Sequence, residues 1–157
     1  MQVYHIKHFR RRLALLGAGA AVVLGAVLLL AGCLGRGTKE EAEPVKLADV
    51  GQQVAYLTQL GWQVEPEPVE TLTLQLPREL AESFGDYLAL QQEQGLPFAR
   101  YGGREVQRYT YAVANYPDYA GAVQVNLFLC DGALIGGDVV AMGENGFQQG
   151  LAFPGKA

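Results

Sequence analysis

The longest apolar stretch of the chain runs from residue 13 to residue 34 and contains no charged residue. It consists almost wholly of Leu, Ala, Val and Gly. Its 22 residues, at the rise of an α-helix, match the thickness of the hydrocarbon core of a bilayer. A secretory signal has a shorter apolar core, of about 7 to 15 residues. The length of this segment therefore predicts a transmembrane helix that is retained in the mature protein.

A second interpretation of the same segment comes from its end. The tetrapeptide Leu30-Ala31-Gly32-Cys33 resembles the bacterial lipobox, in which the cysteine is acylated and becomes the mature N-terminus. Because the segment is so rich in Leu, Ala and Gly, such a triplet precedes a cysteine easily by chance. Both interpretations, a lipidated Cys33 and a retained helix, remain open. Each of them attaches the chain to a membrane.

Charge on the two sides of the segment predicts its orientation. Residues 1–12 carry four cationic side chains, at positions 7, 10, 11 and 12, whereas only Arg36 and Lys39 follow shortly after the segment. The excess of positive charge keeps the N-terminus in the cytoplasm and places the rest of the chain outside. The predicted location is the cell membrane, with a single anchor and an external domain.

Small residues recur at every fourth position of the apolar segment, at Gly17, Ala21 and Gly25. In a retained helix they would form a stripe that allows a second helix to approach closely, which predicts a homodimer. The alternative is that export segments are simply rich in Ala and Gly.

Residues 35–48 mix Gly, Pro and charge without apolar periodicity and are predicted to be a solvated tether. The folded domain is then 49–157. A helix is predicted over 49–60, because Asp49 can cap it with Gln52 at the third helical position, and Gly61 ends it. Trp62 is expected to pack just beyond that end.

Alternating apolar residues predict the sheet. Leu72, Leu74 and Leu76 alternate with polar residues in one strand, and a helix over 78–94 follows, opened by Pro77. Residues 104–116 form another alternating strand. Two further apolar runs, 122–130 and 133–142, flank Asp131-Gly132, which is a strong hairpin signal. The predicted fold class is α+β, with an N-terminal membrane segment and two helices on one face of an antiparallel sheet of about four strands.

Several of these motifs together resemble a known family. They are LGWQVEPEPVE at 60–70, LQQEQG at 90–95, RYGG at 100–103, VQRYTYAVANYP at 106–117 and LIGGDVV at 134–140. In this order they are similar to the domain of unknown function 4830 family, small membrane-anchored bacterial proteins found mostly in Gram-positive anaerobes. The resemblance covers approximately residues 50–153 and implies a short anchor with one external domain. The family carries no assigned reaction, so it supplies no catalytic residue.

The chemistry of the predicted outer domain is limited by its composition. The two histidines, His5 and His8, both precede the apolar segment, and Cys130 is the one cysteine after Cys33. This removes the usual base for a serine or cysteine nucleophile and any ordinary His or Cys zinc site. We expect no catalytic residue, no cofactor and no metal. Cys130 is interpreted as a small, half-buried hydrophobe, with an intermolecular disulfide or a reactive thiol as alternatives.

Carboxylates are what remains for an enzyme, and four could contribute to an acid pair: Glu105, Asp131, Asp138 and Glu144. Glu105, Asp131 and Glu144 have plain structural roles at the start of a strand, in a turn and in a loop. Asp138 follows Gly136-Gly137, and a glycine pair inside a strand marks either a bulge or a place where a ring, a backbone or a ligand comes close. We expect no cleft that holds Asp138 and a second carboxylate.

Five residues are candidates for ligand binding: Arg108, Tyr109, Tyr111, Tyr116 and Asp138. Clustered tyrosines can stack on sugar rings or peptides, although in an alternating strand they are more often cross-strand packing. Arg104 and Arg108 could bind an acidic ligand or pair with Glu105 or Glu70. After the first 12 residues the chain has 8 Lys and Arg against 16 Asp and Glu, which argues against nucleic acid as a partner.

Together these features predict a membrane-anchored, external, non-enzymatic binding or accessory module for a protein or cell-envelope ligand. Two alternatives remain: a carboxylate-dependent hydrolase of the cell envelope, and a structural or oligomerising domain that pairs through the stripe at Gly17, Ala21 and Gly25 or through the strand edge at 70–76.

Overall fold

The computed structural model describes residues 43–155, which form two helices and a five-stranded antiparallel sheet. The helices are α1 (Val50–Leu60) and α2 (Leu80–Glu93), and a 3₁₀ helix spans Phe98–Tyr101. The strands are β1 (Glu70–Gln75), β2 (Glu105–Val113), β3 (Val123–Cys130), β4 (Ala133–Ala141) and β5 (Phe147–Gln149). The α+β class is confirmed, and the sheet has one strand more than the pattern predicts because β5 is too short to show alternation.

The predicted membrane segment at 13–34, Cys33 and the stripe at Gly17, Ala21 and Gly25 lie outside the described residues. Within residues 43–155, no helix has both the length and the apolar character needed to cross a bilayer.

Helix α1 begins and ends where its capping residues predict. The Asp49 side chain accepts a hydrogen bond from the Gln52 amide at 2.8 Å, and the Gln52 side chain accepts one from the Ala48 amide at 2.8 Å. Gly61 ends the helix with a φ of 106°, which is costly for any residue with a Cβ. Trp62 is buried directly after it, as predicted.

The strands follow one another in the order β1-β2-β3-β4-β5, each antiparallel to its neighbours. Asp131 and Gly132 connect β3 and β4 with φ values of 50° and 73°, the backbone of a tight hairpin turn. A simple meander of this kind makes β1 one edge of the sheet and β5 the other.

A bulge interrupts the pairing of β3 with β4. Leu129 pairs with Leu134 and Phe128 with Gly136, so that Ile135 is the extra residue. The predicted irregularity at the glycine pair is therefore present, and the close approach is present too. A Cβ atom at Gly136 would lie 2.6 Å from a ring carbon of Phe98, and one at Gly137 would lie 2.7 Å from a methyl carbon of Leu151.

The two helices pack on opposite faces of the sheet, so the prediction that both lie on one face is wrong. Helix α1 covers the face that we call the closed face. Its buried residues include Leu57, Trp62, Tyr111, Val125, Leu127, Leu134, Val139 and Leu151. Helix α2 covers the other face, with Leu76, Leu80, Phe98, Val106, Cys130 and Ile135 in its core. Side chains alternate along each strand, and therefore both faces carry apolar residues.

Helix α2 begins three residues after Pro77 and is irregular at Phe84, whose φ and ψ are −134° and 27°. Its C-terminal end is tied to the bulged strand by amide side chains. Gln91 accepts a hydrogen bond from the Gly137 amide at 2.9 Å and donates one to the Gly137 carbonyl at 3.0 Å. Gln94 also donates to that carbonyl at 3.0 Å.

Residues 45–47, assigned to the tether by their composition, belong to the folded part. The Leu47 amide donates to the Gly132 carbonyl, and the Leu134 amide donates to the Val45 carbonyl, each at 2.8 Å. Leu47 is also buried in the core of the closed face. Residues 45–47 thus lie beside the β3–β4 hairpin, a few residues before α1.

Candidate binding groove

A groove of about 540 Å³ lies between helix α2 and the sheet face that α2 covers. We call this face of the sheet the groove face. One half of the groove is apolar and aromatic, lined by Leu74, Leu76, Phe84, Tyr87, Phe98 and Phe128. The other half is lined by Glu70, Arg108, Thr110, Gln124, Asn126, Asp138, Val140, Met142 and Gln148. This volume lies within the range typical of small-molecule sites.

The polar half is built by strand register. Glu70 pairs with Thr110, Thr110 with Asn126 and Asn126 with Asp138, which places one polar residue from each of four strands in a row across the sheet. Directly paired residues point to the same face, so the row forms a polar floor between apolar neighbours.

Hydrogen bonds connect this row and end at Asp138. The Thr110 hydroxyl donates to Asn126 Oδ1 at 2.7 Å, and Asn126 Nδ2 donates to Asp138 Oδ1 at 2.9 Å. From β5, Gln148 Nε2 donates to Asp138 Oδ2. Both oxygens of a buried carboxyl group are thereby bonded to neutral amides.

Burial raises the pKa of Asp138, and three weaker influences oppose it. The hydrogen bonds from Gln148 and Asn126 and the positive charge of Arg108 each lower this pKa. The net direction is upward because removing a carboxylate from water costs more than two neutral amides return. Asp138 is therefore a carboxyl group whose ionised form is poorly compensated within the domain.

Arg108 lies in the same groove and forms an ion pair with Glu70 through Nη2. Its Nε is buried and has no hydrogen-bond partner within residues 43–155. A buried donor without a partner costs on the order of 1–3 kcal/mol, which a ligand with an acceptor atom would recover.

Tyr87 presents the second unpartnered polar atom of the groove. Its hydroxyl is buried and lacks a hydrogen-bond partner in the described part of the chain. Burial raises the pKa of Tyr87, the charge of Asp138 raises it further, and the charge of Arg108 lowers it. Tyr87, Asp138 and Arg108 are therefore close enough to interact electrostatically across the groove.

Aromatic rings form the wall beside these groups. Tyr87 contacts Phe98 with ring centroids 5.0 Å apart and Phe128 at 5.8 Å, and Phe98 contacts Phe128 at 5.5 Å. All three contacts are edge-to-face, the arrangement that aromatic quadrupoles favour.

Of the five predicted binding residues, the groove contains Arg108 and Asp138 but none of the three tyrosines. Tyr111 is completely buried on the closed face, where its hydroxyl donates to Gln53 at 2.6 Å and burial raises its pKa to about 12. Tyr109 donates to Gln107, and Tyr116 packs between Trp62 and Phe147. These tyrosines are packing residues of the opposite face and form no platform with Arg108.

The groove holds two acids, Glu70 and Asp138, so the expectation that no cleft holds Asp138 and a second carboxylate is wrong. Their backbones are three strand spacings apart, roughly 14 Å. Glu70 is bound to Arg108, and Asp138 to its two amides. The other candidate acids lie elsewhere: Asp131 pairs with Arg104 on the hairpin, and neither Glu105 nor Glu144 lines the groove.

No group of three His, Cys, Asp or Glu within residues 43–155 is placed to hold a metal ion. Cys130 is buried and its thiol lies 3.6 Å from the Glu105 carbonyl oxygen.

Sequence reasoning missed several groove residues, among them Tyr87, Thr110, Asn126 and Gln148. Thr110 and Asn126 carried a weak signal, since each alternates with an apolar residue, Val106 or Phe128, on one face of its strand. Tyr87 and Gln148 carried none, because their positions depend on how α2 and β5 pack.

Comparison of the chain with known proteins finds no matching family model, no matching curated protein and no matching solved structure. The groove itself is therefore the basis for inferring function.

Proposed function

We propose that the domain is a binding module whose ligand occupies the groove between α2 and the sheet. The observation that carries this proposal is the pair of buried, unpartnered polar atoms, Arg108 Nε and the Tyr87 hydroxyl, in a groove of about 540 Å³. Buried polar groups in folded proteins are nearly always hydrogen-bonded, and a ligand would complete the bonds missing here.

We further propose that this module is held outside a membrane by residues 13–34, either as a retained helix or through acylated Cys33. The motif resemblance to the domain of unknown function 4830 family fits the same arrangement. Mass spectrometry of the mature N-terminus tests it, with a Cys33→Ala variant as control. An N-terminus at Met1 supports the helix, an acylated Cys33 supports the lipid, and an unmodified N-terminus within the folded domain contradicts both.

A photo-crosslinking side chain at the groove rim tests the binding role. Met142 is exposed and lines the groove, whereas Val45 is a similarly exposed apolar residue beside the hairpin and is not a lining residue. In the full-length protein in native membranes, we expect an adduct from position 142 and none from position 45.

Filling the groove provides the second arm of this test. Leu74→Trp introduces an indole into the groove, and Thr73→Trp introduces the same group on the same strand but on the opposite face, where Thr73 pairs with Gln107. We expect Leu74→Trp to suppress the adduct from position 142 and Thr73→Trp to leave it. Equal labelling from positions 142 and 45, or an adduct that survives Leu74→Trp, would contradict a groove ligand.

The second candidate function is a carboxylate-dependent hydrolase, which the presence of Glu70 and Asp138 in one groove favours. Release of reducing ends from cell-wall glycan by the purified protein would support it. That activity would have to fall at least a hundredfold in both Glu70→Gln and Asp138→Asn to be assigned to the pair.

A further inference from the structure

We propose that the groove selects a protonated amine that carries an apolar group. This inference rests on the proposed binding role of the groove and adds the chemical class of the ligand. It follows from three features of the lining residues: their charge, their aromatic wall and their unpartnered polar atoms.

The charge of the groove favours a cation. Its ionisable lining residues other than tyrosine are Glu70, Arg108 and Asp138. The ion pair with Glu70 already compensates Arg108, which leaves Asp138 with hydrogen bonds from neutral amides alone. The surrounding domain adds to this preference, since residues 43–155 contain five Lys and Arg against 14 Asp and Glu.

The same charges disfavour an anionic ligand. A carboxylate placed beside Arg108 would stand with Glu70 and Asp138 as the third negative charge around one guanidinium. Removing such a group from water is costly unless it gains a full positive partner. The unpaired Arg108 Nε therefore suits a neutral oxygen acceptor of the ligand better than a carboxylate.

The aromatic wall is suited to the same ligand. Tyr87, Phe98 and Phe128 stand together at the apolar half of the groove. An ammonium group next to aromatic rings gains cation–π attraction, and the apolar part of the ligand gains burial against the same side chains. The oxygen of the Tyr87 hydroxyl, unpartnered among the described residues, can accept a hydrogen bond from the ammonium group.

Proton linkage is a consequence of this arrangement. Burial raises the pKa of Asp138, and an ammonium group beside it would lower that pKa again. The groups that face Asp138 are Arg108 from β2, Asn126 from β3, Gln148 from β5 and Tyr87 from α2. Amine binding should therefore release a proton at pH values near the pKa of the unliganded carboxyl group.

Three probes with the same aromatic part and different charge test the ligand class. They are 2-phenylethylammonium, 2-phenylethanol and 3-phenylpropionate, titrated by calorimetry into the full-length protein in nanodiscs of zwitterionic lipid, with empty nanodiscs as blank. We expect the amine to bind about tenfold more tightly than the alcohol, as a charge-assisted contact implies, and the acid to bind most weakly.

Two variants with opposite expected effects keep the test independent of folding. Asp138→Asn should remove the preference for the amine and retain alcohol binding. Arg108→Gln should increase the preference several-fold, since it removes the repelling charge. Asp131→Asn, on the exposed hairpin turn, is the matched control and should leave the preference unchanged.

The outcomes separate the ligand class from the binding role. Tightest binding by the acid, or an amine preference that survives Asp138→Asn, would overturn the amine proposal while groove binding stands. Binding by none of the probes, together with a positive crosslink from position 142, would also overturn the ligand class alone. Binding by none of the probes and no crosslink from position 142 would overturn both.

Discussion

The two faces of the sheet are made by the same strands, yet they differ in how completely their side chains are satisfied. On the closed face, Trp62 Nε1 donates to the Leu151 carbonyl at 2.7 Å, and the Tyr111 hydroxyl donates to Gln53. On the groove face, the Tyr87 hydroxyl and Arg108 Nε are buried and have no hydrogen-bond partner in the part of the chain that the structure describes. On the closed face the chain itself supplies the hydrogen-bond partners of these polar groups. On the groove face a bound ligand could supply them.

The two faces of this single sheet therefore differ in how their buried polar groups are bonded. A row of polar side chains inside an apolar sheet costs stability unless its members are bonded. The row from Thr110 to Asp138 is hydrogen-bonded along its length, whereas Arg108 Nε and the Tyr87 hydroxyl beside it have no partner within residues 43–155. Substitutions on the two faces should therefore have different consequences.

The largest expected effect is on the closed face. Trp62→Ala removes a side chain that is 1% exposed together with its hydrogen bond, and we expect the free energy of unfolding to fall by about 3–5 kcal/mol. Met142→Ala, at the open rim of the groove, should change it by less than about 0.5 kcal/mol. Urea denaturation of both variants measures the contrast, and similar losses would show that the rim is packed as a core.

The next effect concerns the bulged strand. Gly136→Ala places a methyl group 2.6 Å from the Phe98 ring and should cost about 1–3 kcal/mol. Gly85→Ala in α2 meets no atom within 4 Å and should stabilise the protein by up to about 1 kcal/mol. Thermal unfolding compares the two, and a neutral Gly136→Ala would mean that Phe98 can move away freely.

Removing one hydroxyl from each face sharpens the comparison directly. Tyr111→Phe breaks the bond to Gln53 and should cost on the order of 1 kcal/mol. Tyr87→Phe removes a buried hydroxyl without a partner and should leave stability unchanged or raise it slightly. Denaturant unfolding measures both variants. Equal losses of unfolding free energy would contradict the view that the Tyr87 hydroxyl lacks a hydrogen-bond partner.

The smallest effect is a pH dependence of stability at Asp138. Its pKa is raised from the ordinary 3.8, so the folded state binds the proton more readily than the unfolded state. The contribution of Asp138 to the free energy of unfolding therefore falls as pH rises from the ordinary value through the raised one. Relative to wild type, Asp138→Asn should become more stable over this range, and a difference that is flat or of opposite slope would refute the shift.

Local signals predicted the parts of the fold that depend on neighbouring residues. The caps at Asp49 and Gly61, the hairpin at Asp131-Gly132 and the irregularity at the glycine pair were all readable, because each is decided by backbone conformation within a few residues. The edge strand β5 was not, since three residues carry no periodicity.

The candidate site divides in the same way. Arg108 and Asp138 were identified from their chemistry, and both line the groove. The tyrosines are candidates because clustered rings can stack on sugars or peptides, but alternation sends Tyr109 and Tyr111 to the face opposite Arg108. Adjacent residues of a strand point to opposite faces, so closeness along the chain does not place two side chains in one site.

By itself, the sequence determined the α+β class, the limits of α1, the β3–β4 turn and the absence of histidine after position 8. Only the tertiary structure decided that the helices cover opposite faces, that four strands align Glu70, Thr110, Asn126 and Asp138, and that α2 brings Tyr87 to them. The physical reason is the distance along the chain over which the residues interact. Caps and turns are determined by the conformational preferences of adjacent residues. A binding groove requires register and packing between segments that are tens of residues apart.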